Sequence, residues 1–154
     1  MNNDTQYLSK EKYDALQAEL INLKTVERKE VAAHLEYAKS LGDLSENAEY
    51  QEARDRQADI EDRIKEVENI LKNAQIVSGK HSGTVDVGSV VTIKKKGGEE
   101  KELTIVGSEE ADMLVGKISH LSPIGSALIG RKKGDSVEVA TPNGAVEYSL
   151  LNVK

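Results

Sequence analysis

The chain has 154 residues, a formal net charge of −6, and no cysteine, phenylalanine or tryptophan. Without cysteine, a disulfide frame and a cysteine zinc site are both excluded. No apolar signal segment follows Met1 and no apolar run approaches membrane-spanning length, so a cytoplasmic protein with no membrane contact is expected.

Charge divides unevenly. Residues 1–79 carry 11 Lys+Arg against 17 Asp+Glu, whereas residues 80–154 carry 10 of each. Neither half has the positive excess of a protein that grips nucleic acid through its phosphates. The acidic first half suits a basic channel or groove on another protein. Pairs four apart with the acid first, Glu52/Arg56, Asp59/Arg63, Glu61/Lys65 and Glu68/Lys72, also support an exposed helix face.

In chain order, residues 1–8 read as a loose lead-in. Ser9 is a good N-cap for a helix from Lys10 to about Leu41, with Glu11 near the positive end of its dipole. A second helix runs from about Leu44 to Ile76. Its Tyr50, Ala53, Gln57, Ile60, Ile64, Val67, Leu71 and Ala74 alternate steps of three and four, the spacing of a coiled-coil seam. In an antiparallel register, Tyr13, Leu16, Leu20 and Leu23 face Ala74, Leu71, Val67 and Ile64. Farther out, Glu27, Glu30, His34 and Tyr37 face Ile60, Gln57, Ala53 and Tyr50. Each arm is then roughly 46 Å long at 1.5 Å per residue.

The turn between the arms is Leu41-Gly42-Asp43-Leu44-Ser45-Glu46-Asn47-Ala48-Glu49-Tyr50. Gly42 supplies the break, and Asp43 can cap the second helix. Asp43 and Glu46 therefore sit at the tip of the hairpin. Two readings stand side by side. Their spacing is close to a capping box, which needs no function. Two carboxylates are also half a magnesium site, one that binds weakly until other ligands complete it. Such a pair suggests donated chemistry rather than a self-contained enzyme. Lys39 and Arg54, within about three helical turns of the tip, either touch a phosphate chain or offset the acids.

After the hairpin the period changes. Residues 78–83 are a polar linker, which places the hairpin in residues 1–78 and a second domain in 79–154. Val90–Lys96 and Glu102–Val106 flank Gly97-Gly98, Met113–Ile118 is a third strand, and Ser136–Ala140 and Val146–Val153 flank Thr141-Pro142-Asn143-Gly144. Ser122-Pro123 opens a short helix that ends by Gly130. The fold class is α+β: an antiparallel coiled-coil hairpin, then a small domain with a mostly antiparallel sheet. His34, His81 and His120 lack zinc-ligand spacing and read as surface or seam residues. There is no G-x-S-x-G elbow and no Walker-type loop, and the basic runs 94–96 and 131–133 read as solvated loops.

Gly42 to Tyr50, with Ala53-Arg54, closely resembles the signature of the bacterial Gre transcript cleavage factors. Ser122-Pro123-Ile124, Ala127-Leu128-Ile129-Gly130 and residues 141–148 resemble that family's C-terminal part, so the likeness covers nearly the whole chain in order. The modest basic content near the tip looks like the less basic of the family's branches. The resemblance implies an FKBP-like C-terminal domain that docks at the rim of the RNA polymerase secondary channel. It implies that the hairpin enters the channel and stimulates cleavage of the extruded RNA 3′ end in backtracked complexes. Asp43 and Glu46 match the acids that hold Mg2+ jointly with polymerase, and none is implied to be held tightly by the isolated protein. Lys39, Tyr50 and Arg54 match the RNA-contacting positions, with Lys39 standing where arginine is expected, and Ser122, Pro123 and Ile124 match the docking segment. The implied protein is a monomeric accessory factor without small-molecule substrate, not an enzyme. Three other readings compete: a channel-occupying inhibitor of polymerase, a plain coiled-coil adaptor, and a prolyl isomerase. The first departs from the family motif at the tip, and the last wants an aromatic-lined pocket, whereas Tyr148 is the one aromatic in residues 80–154.

Overall fold

The computed structural model describes residues 5–77 and 83–154. The expected linker, apart from Gly83, and His81 lie outside the described residues. Contacts divide the chain into two compact units, Tyr13–Asn73 and the segments on either side of it, Met1–Lys12 with Ala74–Lys154.

In the hairpin unit one arm comprises α1 (Lys10–Asn22), a π-helical turn (Leu23–Glu27) and α2 (Arg28–Ser40), and the other is α3 (Ala48–Lys72). Ser9 caps α1 as expected, its hydroxyl accepting from the Lys12 amide at 3.1 Å. The π turn corrects the expected seam. The Arg28 amide bonds to the Leu23 carbonyl five residues back, and the Thr25 hydroxyl takes the Ile21 carbonyl at 2.7 Å. One extra residue is wound into the turn, so every position beyond it rotates by one. Leu16 and Leu23 are buried where the heptad puts them, but farther out the seam moves from Glu30 and Tyr37 to Val31 (1% exposed) and Ala38 (0%). Tyr37 is 60% exposed, Gln57 on the facing arm is exposed, and His34 is half-buried. The shift buries a valine and an alanine instead of a glutamate, which avoids desolvating a carboxylate. Ala53, Ile60, Ile64 and Val67 are buried where the heptad of α3 puts them, but next along the helix Ile70 is buried in place of the expected Leu71, which is half-buried. Leu23, Val31, Ile60 and Ile64 form one cluster, with Leu20 against it.

Charged side chains tie the arms together, and along α3 Arg63 also reaches Glu66 at 2.8 Å. Arg28 forks onto Glu61 at 2.8 and 3.0 Å, and Arg63 onto Glu19 at 2.6 and 3.0 Å. Arg56 reaches Glu30, and Lys24 reaches Glu68. The arginines take these bidentate positions because their planar fork matches a carboxylate.

Helix α3 stops at Lys72 and does not continue to Ile76. Ala74–Ile76 is instead strand β2, paired in parallel with β1 (Gln6–Leu8). The expected pairing of Ala74 with Tyr13 in the seam is lost with it. Residues 6–8 of the lead-in are therefore an ordered strand, and Leu8 is fully buried. Ile76 and Val77 are β-branched and suit extended backbone, and the Val77 amide closes on the Leu8 carbonyl at 2.9 Å.

In the second unit, β3 (Val90–Lys95), β4 (Glu100–Val106), β5 (Lys117–Ser119), β6 (Ser136–Thr141) and β7 (Gly144–Val153) form a sheet in the order β5-β4-β3-β7-β6. All neighbours are antiparallel except β4 and β5. The expected third strand is shorter than its sequence suggests. Asp112 accepts from the Leu114 amide and folds Met113–Val115 into a 3-10 turn, which leaves Lys117–Ser119 to pair. Helix α4 (Pro123–Leu128) packs with the sheet around Ile93, Ile105, Leu128 and Leu150. Strand β1 lies on this unit at Gly107, where a Cβ would come within 1.8 Å of the Tyr7 carbonyl oxygen. The Tyr7 ring meets His120 edge-on at 5.0 Å. His120 is thus a buried residue, not a surface or seam one. Ser9 donates to Glu110 through its amide at 2.9 Å and its hydroxyl at 2.7 Å.

Candidate functional site

The first arm ends at Ser40, and Gly42 takes φ 125°, the left-handed region that lets the chain reverse. Residues 41–46 are exposed. The expected cap is not where the sequence suggested. Helix α3 starts at Ala48, and its N-cap is Asn47, whose side-chain oxygen accepts from the Tyr50 amide at 3.1 Å. Asp43 and Glu46 precede the cap and lie in the tip loop. Both Asn and Asp rank high as caps, and the sequence offered each; the start of the apolar seam at Tyr50 is the signal that favours Asn47.

Asp43 has its own support. Its Oδ1 accepts from the Ser45 amide at 3.0 Å and from the Ser45 hydroxyl at 2.9 Å. Those bonds, the backbone one foremost, hold the Asp43 carboxyl below its ordinary range. Sequence reading passed over Ser45, although a serine two residues after an aspartate is a known turn partner.

The second flank of the tip is Tyr50 and Arg54, one turn apart on α3. The Arg54 guanidinium carbon lies 5.8 Å from the Tyr50 ring centre, within cation–π reach. Arg54 is exposed and Tyr50 half-buried. Lys39 is exposed in the last turn of α2. His34 Nε2 lies 3.0 Å from Glu49 Oε2, a cross-arm contact the sequence did not suggest. Lys39, Asp43, Glu46, Tyr50 and Arg54 thus all belong to the outer end of the hairpin unit. Ser122, Pro123 and Ile124 belong to the other unit. Ser122 caps α4, accepting from Gly125 at 3.1 Å and donating to the Ser119 carbonyl at 2.6 Å. Pro123 is exposed at the first helical position, and Ile124 packs against the core.

Chemically, the tip offers carboxylates and little else. Among the described residues no three His, Asp or Glu side chains gather to hold a metal ion. Asp43 and Glu46 fit a magnesium ion only as part of a larger set of oxygen ligands. No helix among the described residues is long and apolar enough to cross a membrane.

A two-armed helical finger with an acidic loop, followed by a small sheet domain, defines a class that the comparisons identify as transcription elongation factors. Residues 6–76 match the family described as transcription elongation factor, N-terminal, and residues 80–154 match transcription elongation factor, GreA/GreB, C-term. The chain is 48% identical over 150 residues to transcription elongation factor GreA of Clostridioides difficile strain 630, covering 96% of this chain and 94% of that one. It is 43% identical over 155 residues to GreA of Thermosipho melanesiensis, covering 100% and 99%. A solved structure of GreA factor homolog 1 from Thermus thermophilus aligns over 97% of this chain and 99% of that one, at 30% identity and a TM-score of 0.45. This chain belongs to the GreA/GreB family of transcription elongation factors.

Proposed function

We propose that this chain binds backtracked RNA polymerase, passes its hairpin into the secondary channel, and stimulates hydrolysis of the nascent RNA near its 3′ end. The observation that carries the reading is the freedom of the tip acids. Asn47 caps α3, so Asp43 and Glu46 are not explained by the helix start. They stand in an exposed loop at the far end of the arms, as groups built for presentation would.

In this reading polymerase supplies the active site and this chain completes it. Magnesium held between the two proteins would stabilise charge on the attacking and leaving oxygens. Asp43, ionised and fixed by Ser45, and Glu46 contribute negative charge and position at the reacting centre. Lys39 and Arg54 offer cations to the extruded RNA, and the Tyr50 ring offers a stacking face. Lys39 acts as a point charge without the bidentate fork of arginine. Pro123, with Ser122 and Ile124 behind it, contributes to docking at the channel rim. The acidic hairpin suits a basic passage. A channel-occupying inhibitor would share the architecture, but the retained acids and the relatives named as elongation factors weigh against it.

The test is Asp43→Asn with Glu46→Gln. Neither residue caps α3 or lies in the seam, so folding and polymerase binding should persist. Transcript cleavage should fall by orders of magnitude, with partial recovery at raised magnesium. Wild-type cleavage by the double variant would refute the assignment. The isolated protein, with magnesium but without polymerase, should leave naked RNA intact.

A further inference from the structure

The side chain of Asn47 does two things at once. Its oxygen accepts from the Tyr50 amide at the start of α3, and its Nδ2 donates to the Ala38 carbonyl at the end of α2 at 2.6 Å. Ala38 is fully buried, and its carbonyl also accepts from the Leu41 amide at 3.1 Å. This carbonyl is among the last four of its helix, which have no partner within it. A helix cap needs only the first bond. The second joins the two arms across nine residues and closes the loop between them into a ring. Lys39, Asp43 and Glu46 lie within that ring, and Tyr50, whose amide takes the cap bond, follows it in the first turn of α3 with Arg54 against its aromatic ring.

We propose that Asn47 is a positioning residue: its amide clamps the two arms together and sets the tip acids and the flanking Lys39 and Tyr50 in one fixed arrangement. The inference rests on the proposed role of Asp43 and Glu46 but assigns a different residue a different task. A site that acts by placing carboxylates loses rate steeply when they are displaced by an ångström. Serine caps a helix nearly as well as asparagine, yet has no amide to reach the Ala38 carbonyl. Asn47→Ser therefore keeps the helix start and removes the clamp. Aspartate also keeps the cap and lacks the donor.

The chain contains no cysteine, so Leu44→Cys gives a single attachment point for a nitroxide in the tip loop. The experiment measures label mobility, helicity, polymerase affinity and the cleavage rate at saturating factor, with and without Asn47→Ser. The expected result is a more mobile label, unchanged helicity and affinity, and a cleavage rate lowered tenfold or more. Asn47→Asp must show the same loosening, whatever its added charge does to the rate. An unchanged rate, or a lowered rate with an unchanged label, overturns the proposal. If Asn47→Ser lowers helicity, Asn47→Asp decides by label mobility at unchanged helicity, and an unchanged label then overturns the proposal. Measured beside them, Asp43→Asn with Glu46→Gln separates the two ideas. If that variant is slow and Asn47→Ser is not, the clamp fails alone; if it cleaves normally, the role of the acids fails and the clamp's role in cleavage fails with it.

Discussion

Ser45 does more for Asp43 than its exposed position suggests. Its amide and hydroxyl both donate to one carboxylate oxygen, which favours the ionised form and fixes the rotamer. Since the Asp43 carboxyl is held below its ordinary value, its charge persists as the solution is acidified and is lost only when the pH falls through that lowered value. Ser45→Ala removes the hydroxyl bond and keeps the amide one. An NMR titration of the Asp43 carboxyl carbon should then move partway back up toward the ordinary aspartate range. An unmoved titration would mean the hydroxyl bond contributes nothing in solution. The acids themselves were legible in the sequence, because charge and spacing are linear properties. Their relation to the helix start was less so: Asp43 and Asn47 are near-equal caps by residue type, and the one signal for Asn47 is the start of the seam at Tyr50.

At the scale of the element, the heptad reading held along α3 from Ile60 to Val67, gave way to Ile70 in place of Leu71 near its end, and failed halfway along the opposite arm. Leu16 to Leu23 is one heptad and Val31 to Ala38 another, but the step between them is eight. A single inserted residue is all the π turn contributes, and it exchanges Glu30 and Tyr37 for Val31 and Ala38 in the seam. The signal was present as Val31, an apolar β-branched residue one place past the expected Glu30, and as Thr25, able to take a helix carbonyl with its hydroxyl. The two registers differ measurably. Val31→Ala should cost about 2 kcal/mol by lost burial and a residual cavity, whereas Tyr37→Ala should stay within about 0.5 kcal/mol as a surface change. Thermal unfolding of both variants decides, and the reverse ranking would restore the unbroken heptad. Charge follows the same cross-arm logic. Arg28 holds the Glu61 carboxyl below its ordinary range, mainly through the hydrogen bond. A lowered folded value means the pair's contribution is present above the unfolded value and fades as pH falls through the folded one. Glu61→Gln should therefore make hairpin melting less sensitive to pH below about 4.5, the region where glutamate titrates. Both side chains are more than 40% exposed, so the effect is small and is read as a difference in slope between variant and parent.

For the whole molecule, the fold class and the order of the longer elements followed from periodicity: 3.6 in the first half, 2 in the second. What periodicity did not disclose is where the compact units divide. The parallel pair of β1 and β2 joins residues nearly seventy positions apart, and three-residue strands carry too little pattern to be seen without their partner. Yet β1 belongs structurally with the sheet that follows the hairpin. Its Leu8 is buried, Tyr7 lies against His120, and Ser9 binds Glu110. A fragment cut at residue 80 loses all three contacts and exposes the backbone at Gly107. It should melt several degrees below the corresponding unit in the intact chain, since even 1 kcal/mol shifts a domain of this size by about 4–8 °C. Weak competition by such a fragment for polymerase would then report lost stability and not a lost docking surface. Gly107→Ala in the intact chain separates the two. It forces a Cβ against the Tyr7 carbonyl oxygen while leaving Ser122, Pro123 and Ile124 untouched. Hydrogen exchange at Tyr7 and Leu8 should speed up in this variant, while the amides of α4 keep their protection and binding to polymerase is retained. Unchanged exchange at Tyr7 and Leu8 would show that β1 does not rest on Gly107, and the assignment of the lead-in to the second unit would have to be withdrawn.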